Sequence, residues 1–451
     1  MSRKFRDWSP HQNYLFPPSS QDWLPPNHLV YFLLEISEQM DLSPIFDDYD
    51  SAKGGQPPLH PRMMLVLLLY AYCVGVFSSR KIMARCETDV AFRVIVGDEI
   101  PDFRRIAEFR RRHLEHMQAL FLEVLALCRQ AGLLKVGRLA LDGTKVKANA
   151  ARHKAMSYDR MTAEEERLQK EIDELLAKAQ AADEAEDEEH GDHRGDEFPD
   201  ELSRRETRLQ KIREAKAALE EQARQKAAAH IEKLKAEGRT PRKDPAEALP
   251  KPKDQRNFTD PESKIMKTSN KGFDQCGNAQ AVANEDQVLV SADVTDQTND
   301  SQQVEPMVEQ TIENLDAVGV KEKVGAFTAD AGYFSKDNVD SLEANDRIEE
   351  AYIATGRLKH HEQVPDAPKG RPPKNLTPKE KMARKLRTKK GRKEYARRKA
   401  MVEPPFGQIK HCQGFRQFLL RGLKQMQGEW RLVCLTHNLL KLFRIGSLAN
   451  G

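Results

Sequence analysis

Three carboxylates stand in short, distinctive settings far apart in the chain. Asp142 lies in LALDGTKVKANA, Asp330 in FTADAGYFS and Glu403 in VEPPFGQIK. The two aspartates each close an apolar, strand-like run. The glutamate follows the most basic segment of the protein. Acidic groups at strand ends beside a polycationic surface suit Mg²⁺ held against a nucleic-acid backbone, because Mg²⁺ takes oxygen ligands and needs few of them from the protein. Two such ions about 3.5–4 Å apart can stabilise both the attacking and the leaving oxygen of a phosphodiester. Each residue also has a plain structural reading. An Asp before Gly, as at Asp142-Gly143, is a common turn former. Asp330 in ADAGY is similar, and Glu403 before Pro404 is compatible with an ordinary surface glutamate. Spacing alone does not make the three converge.

The elements that must position these groups follow from periodicity. Residues 1–25 are polar and broken by prolines, which predicts an extended arm. Residues 26–135 read as all-helical. Leu29, Phe32, Leu33 and Ile36 recur at helical spacing, and the apolar run Met63–Phe77 predicts a buried helix too short to span a bilayer. Ser78-Ser79 starts a further helix through Ala84. One long pattern, Pro101 to Gln130, sets Arg104, Arg105, Arg110, Arg111 and Arg112 against an apolar face. Short helices with a basic face fit a DNA-docking unit of helix-turn-helix type, or a bundle with solvated arginines.

Residues 136–142 alternate as a strand. The region 160–237 then reads as a charged antiparallel helical hairpin. Thr162 and Glu165 form a capping-box pattern, Leu168, Ile172 and Leu175 share a face, 183–192 reads as an acidic turn, and Leu202, Leu209, Ile212 and Leu219 repeat at near-heptad spacing. A dimerisation or DNA-spanning arm and a passive insertion both fit it. A Pro- and Lys-rich linker covers 238–256. Strands resume at 278–283 and 287–295, followed by a helix from Asp300 to Ala317, a strand at Val324–Ala329, a helix from Lys336 and a strand near Ile348–Ala354. Strands alternating with helices predict an α/β domain with a mixed sheet. Lys369 to Lys399 carries 15 Lys or Arg against 2 Glu, and folded-looking sequence follows it, so a phosphate-contacting surface fits better than a tail. A last Leu-rich helix spans Trp430 to Phe443.

Bulk properties add bounds. The 451 residues carry a net charge of only +3, because an acidic middle offsets the basic segment. Six cysteines without a CxxC pair argue for free thiols in a reduced compartment. The polar start of the chain carries no signal-peptide pattern, which predicts a cytoplasmic protein without a membrane anchor.

The blocks around Asp142, Asp330 and Glu403 resemble those of the DDE transposases of bacterial insertion sequences. The resemblance is greatest to the group whose glutamate block carries a Tyr-Arg-Glu-Lys signature. It extends over most of the chain: the helical region through Arg112, NFTDPESKIM (257–266), GNAQAV (277–282), YARRKAMVEPPFGQIK (395–410), FLLRGL (418–423) and LTHNL (435–439). It implies an RNase H-like mixed sheet with flanking helices at 136–159 and 257–451, preceded by a helical DNA-binding domain and interrupted by the hairpin insertion. It implies Asp142, Asp330 and Glu403 as the catalytic and metal-binding triad for Mg²⁺, with Mn²⁺ as a substitute. Tyr395, Arg398 and Lys410 become the signature residues that contact DNA. Lys410, seven residues past Glu403, shares its face in an unbroken helix, and so does Lys399, whereas Arg398 does not. The choice between Arg398 and Lys399 as the DNA contact therefore stays open. Pro404-Pro405 predicts a helix start or kink at Glu403. The implied activity is cleavage of element ends followed by strand transfer, with double-stranded DNA as partner, a homodimer pairing two ends, and a place in the bacterial cytoplasm at the nucleoid. The rivals are an RNase H-like nuclease without strand transfer and a non-catalytic DNA-binding descendant. Among other acids, Asp260 reads as a local cap, Asp293 and Asp296 as surface groups, and His360-His361-Glu362 as a polar loop.

Overall fold

The computed structural model describes residues 22–49, 57–151, 154–190, 200–236, 238–240, 244–268, 272–356, 366–373 and 375–449. Most of the expected arm and the whole of His360-His361-Glu362 lie outside them.

The N-terminal part is helical, as expected: α1 (Leu29–Gln39), α2 (Ser43–Asp47), α3 (Pro61–Cys73), α4 (Ser79–Thr88), α5 (Val90–Val96), α6 (Phe103–Arg112) and α7 (Met117–Gln130). Helix α3 is apolar on all sides, so it can only be interior. Its residues from Met64 to Cys73 are all buried. Asp102 starts α6 by accepting a hydrogen bond from the Arg104 N–H (2.8 Å). The single pattern expected from Pro101 to Gln130 is two helices, separated by a 3₁₀ turn at Leu114–His116. The shared arginine face also needs correction. Arg104, Arg105, Arg111 and Arg112 are exposed, but Arg110 is buried. Its guanidinium donates to Tyr72 Oη (3.2 Å) and the Phe77 carbonyl (2.8 Å). It thereby supports the fully buried Glu429, which accepts from Tyr72 Oη (2.9 Å) and the Leu419 N–H (2.9 Å).

Strand β1 (Arg138–Lys147) opens the α/β part, and the short β2 (Ala155–Ser157) leads into the hairpin helices α8 (Tyr158–His190) and α9 (Asp200–Ala236). Strand β3 (Gln255–Asn257) pairs with β2 and closes the root of the hairpin, inside the stretch expected to be linker. Two local expectations fail here. Thr162 is not a cap: α8 has already begun, and its hydroxyl donates back to the Tyr158 carbonyl (3.1 Å). Residues 183–190 are helical rather than a turn, since Ala, Glu and Asp continue a helix once its first turns exist.

The remaining strands are β4 (Lys264–Lys267), β5 (Phe273–Asn284), β6 (Leu289–Thr295), β7 (Ala326–Ala329) and β8 (Ala351–Ile353). Helix α10 (Val304–Ala317) lies between β6 and β7, and α11 (Lys336–Ala344) between β7 and β8. The expected helix from Asp300 begins only at Val304, after a 3₁₀ turn. Helices α12 (Pro378–Arg387), α13 (Lys389–Gly407) and α14 (Leu423–Ala449) complete the order. The sheet is mixed, in the order β4-β5-β1-β7-β8, with β6 sharing the β4 edge of β5. Strands β1, β7 and β8 run parallel, and β5 is antiparallel to β1. Helix α13 crosses β1, β5, β7 and β8, while α14 packs on β6, α7 and α3. One continuous core joins the N-terminal helices, the sheet and α14.

Candidate active site

Strand register brings the two aspartates together. Leu141 pairs with Ala329 across the parallel β1–β7 ladder, so Asp142 and Asp330 are the next residues on neighbouring strands. Strand β7 ends there, while β1 continues against β5 to Lys147. Asp142 therefore stands where β1 loses one neighbour, at the carboxyl ends of the parallel strands where functional groups of open α/β sheets collect. Asp330 caps the following 3₁₀ turn by accepting from the Gly332 N–H (2.8 Å). Asp142 Oδ1 accepts from the Gly143 N–H (2.9 Å).

The basic segment folds into α12 and the first half of α13. The second helix is anchored at its start by Glu394, which receives a two-pronged contact from Arg138 at the beginning of β1, one prong at 3.1 Å. Arg138 also donates to Glu285 (3.0 Å). This clamp sets the rotation of α13 and turns Arg398 inward. Arg398 is buried, and its Nη1 lies 3.1 Å from Asp142 Oδ2. Tyr395, one turn earlier, is half-buried with its ring 5.9 Å from the Arg398 guanidinium carbon. Burial pushes the Asp142 carboxyl above its ordinary pKa and Asp330 adds to the rise, against the opposing pull of Arg398 and the Gly143 N–H. Burial works most strongly against the Arg398 charge, but Asp142, Tyr395 and Asp330 together outweigh it and the pKa rises.

Glu403 is placed differently. It is exposed, and no hydrogen bond or ion pair joins its carboxylate to another described residue. Five residues separate it from Arg398, roughly 140° around the helix. Among the described residues, no set of three ligand atoms within 4.8 Å of one another includes Asp142, Asp330 and Glu403 together. The expected helix start at Glu403 is not found, because the residue lies near the end of α13 with Pro404 and Pro405 still inside the helix. Pro404 cannot donate to the Ala400 carbonyl. That oxygen instead accepts from the Gln287 side chain (3.0 Å), and a π-turn at Gln408–Cys412 follows. The unbroken α-helix on which Lys410 was expected to share a face with Glu403 therefore stops before Lys410. Its ammonium holds Thr144 Oγ1 and the Lys145 carbonyl (3.1 Å), just beyond Asp142 on β1. Burial lowers its pKa. Lys399 is exposed.

Beneath the aspartates lies a polar network that periodicity did not single out. Asp300 Oδ1 accepts from Lys145 Nζ (3.0 Å), Asn278 Nδ2 (2.6 Å) and Gln280 Nε2 (3.1 Å). Tyr333 Oη donates to Gln280 Oε1. Asn278 and Gln280 are fully buried. Gly143 is required at its position, since a Cβ there would lie 2.4 Å from Gln280 Nε2 and 2.9 Å from Tyr333 Oη. The available signal was the polar Asn278 and Gln280 alternating with Ala in a strand at the middle of a sheet. Of the other acids, Asp260 is fully buried and accepts from the Gly422 N–H (3.2 Å). Asp293 is half-buried against Arg431 (3.3 Å), not a free surface group.

The donor chemistry fits a hard divalent cation. Two carboxylates on adjacent strands are what a Mg²⁺ site commonly draws from a protein when phosphate oxygens complete the shell. Each aspartate uses Oδ1 locally, and the other oxygen of Asp142 is now shared with Arg398. The guanidinium thus occupies the cation's side of Asp142.

Two family models match the chain: one described as Transposase domain (DUF772), over residues 18–112, and one described as Transposase DDE domain, over residues 372–443. No curated protein and no solved structure matches.

Proposed function

We propose that this chain, whose two family matches support an insertion-sequence DDE transposase, cuts the ends of its element and joins the freed ends to target DNA. The observation that carries the proposal is the register match of Asp142 and Asp330 on parallel strands, with α13 laid over them to deliver Arg398. The strand order, with β1, β7 and β8 parallel and β5 antiparallel to both β1 and β6, supports an RNase H-like reading of the sheet. A Mg²⁺ ion at this site supplies charge neutralisation on the reacting phosphate, and Mn²⁺ substitutes for it.

Asp142 and Asp330 would hold the ion through their outward oxygens. Glu403 would be the third ligand of the set, as the resemblance implies. Arg398, which pairs with Asp142 in this structure, would offer a planar fork of donors suited to phosphate oxygens of a bound strand. Tyr395 stays beside it and limits its swing. Lys410 keeps the end of β1 straight through Thr144 and the Lys145 carbonyl, so its contribution to DNA contact is positional. Lys399 and the exposed cations of α12 hold the backbone of the duplex. Pairing of two ends implies a homodimer on DNA, working in the cytoplasm at the nucleoid. No helix among the described residues is long and apolar enough to cross a membrane.

The test is a labelled duplex carrying the element's ends, incubated with protein and Mg²⁺. Cleaved and target-joined products are expected from the native chain, with neither from Asp142→Asn despite retained end binding. Cleavage without joined products favours a nuclease instead. A second reading, an end-binding protein that no longer cuts, draws on the Arg398–Asp142 pair and the exposed Glu403. It predicts binding without any metal-dependent cut.

A further inference from the structure

We propose that the N-terminal helical region holds a Zn²⁺ ion on Asp48, His113 and His116. The three residues come from two separate pieces of chain. Asp48 is the C-cap of α2, His113 ends α6, and His116 closes the 3₁₀ turn before α7. Asp48 Oδ2 lies 2.7 Å from His113 Nδ1 and 3.0 Å from His116 Nε2. The three ligand atoms lie within 4.8 Å of one another, the one such group of His, Cys, Asp and Glu among the described residues. Two imidazole nitrogens and a carboxylate form a zinc set, whereas Mg²⁺ avoids nitrogen.

A second observation separates this cluster from an ordinary Asp–His hydrogen bond. His113 is fully buried, and its Nδ1 makes no well-formed hydrogen bond although Asp48 Oδ2 lies 2.7 Å away. The other ring nitrogen, Nε2, meets Tyr49 Oη at 3.2 Å. Metal-bound histidines use their second nitrogen this way, donating its proton to a fixed neighbour so that the first presents a lone pair. In the tautomer that gives Nε2–H to Tyr49, the Nδ1 lone pair would face the Asp48 oxygen, and a cation shared between them would relieve that contact. Zinc bonds of about 2.0–2.2 Å separate tetrahedral ligands by about 3.4 Å, so ligand shifts of under about 1 Å complete the site. Water takes the fourth position.

The ion would pin α2 to the α6–α7 junction, and so fix the helix that exposes Arg104, Arg105, Arg111 and Arg112. The inference does not depend on the carboxylates of the sheet.

The test uses the full chain, stripped with chelator, equilibrated with Zn²⁺ and desalted. Zinc measured by mass spectrometry is expected at about one per chain. It should persist in Asp142→Asn and vanish in Asp48→Asn and His116→Gln, both changes at half-exposed residues, with folding checked by circular dichroism. Tyr49→Phe, which keeps the ring and removes the hydroxyl, should weaken zinc binding about 10- to 100-fold. Co²⁺ in place of zinc should give the visible absorption of a tetrahedral site. No retained zinc in the native chain, or zinc retained by both Asp48→Asn and His116→Gln, overturns the proposal. Loss in Asp142→Asn alone would move the metal to the sheet and overturn it equally.

Discussion

The ends of β1 and β7 and the α8–α9 hairpin use the same residue types in opposite ways. In the hairpin, Glu164, Glu165 and Glu171 meet Arg167, Arg205, Arg208, Arg213 and Lys216 at 2.7–3.1 Å, along a solvent-facing seam. Beneath it lies a small separate core of Met161, Leu168, Ile172, Leu209, Ile212, Ala215 and Leu219. On the sheet, one pair, Arg398–Asp142, is folded under α13 with a second aspartate beside it. Neighbouring cations hold Glu164 and Glu165 below the usual carboxylate range, whereas burial drives Asp142 the other way. Opposite charges therefore do not by themselves mark a site. Desolvation with an unrelieved like charge does, because it stores a preference for a cation that water would otherwise satisfy.

The sharpest way to break this contrast is to neutralise one acid in each region. Asp142→Asn should lower DNA cleavage by at least about 10³-fold, the size of losing several kcal/mol of charge stabilisation. Glu165→Gln should leave the cleavage rate unchanged. Equal effects in the same assay would erase the distinction. Next in size is Arg398→Gln, which strands Asp142 and should cost about 2–3 kcal/mol in urea unfolding. The same change made on top of Asp142→Asn should cost well under half of that, since no buried charge remains to be stranded.

A pH series sharpens the role of the clamp that aims Arg398. Arg138 holds Glu394 below its ordinary pKa, by hydrogen bond and by charge. A carboxyl lowered in the fold stabilises above its unfolded pKa and loses that contribution as pH falls through the folded value. Native chain should thus exceed Glu394→Gln by about 1.5–3 kcal/mol near neutrality, with the gap closing below about pH 4. A gap that widens on acidification would reverse the sign and remove the clamp from the account. The smallest effect belongs to the hairpin: Lys216→Ala should shift unfolding by no more than about 1 kcal/mol, in line with pairs on a wet surface.

Much of the architecture was legible before any coordinates. Apolar periodicity marked the helices, the insertion and the alternation of strands and helices, because one-sided burial writes itself into spacing. The motif around Asp330 was legible for the same reason, closing its strand, whereas β1 runs five residues past Asp142 because β5 still pairs with it. Less legible were Asn278, Gln280, Asp300 and Tyr333. Polar residues inside a strand announce themselves only when both faces of the sheet are known to be covered. The capping pattern at Thr162 misled because a local motif cannot reveal that pairing of β2 with β3 starts the helix a turn earlier.

From its residues alone, this chain determined a mixed α/β core, a charged helical insertion and a strand for each of two acids, one of them at its strand's end. Those follow from local preferences and from which side chains avoid water. Only the tertiary structure decided that Asp142 and Asp330 stand in register, that Arg398 rather than Lys399 turns inward, and that Glu403 faces solvent. Helix rotation depends on a distant clamp between Arg138 and Glu394, and on where a freed proline-site carbonyl finds Gln287. Such choices are settled by contacts between residues more than a hundred positions apart, which no stretch of sequence contains.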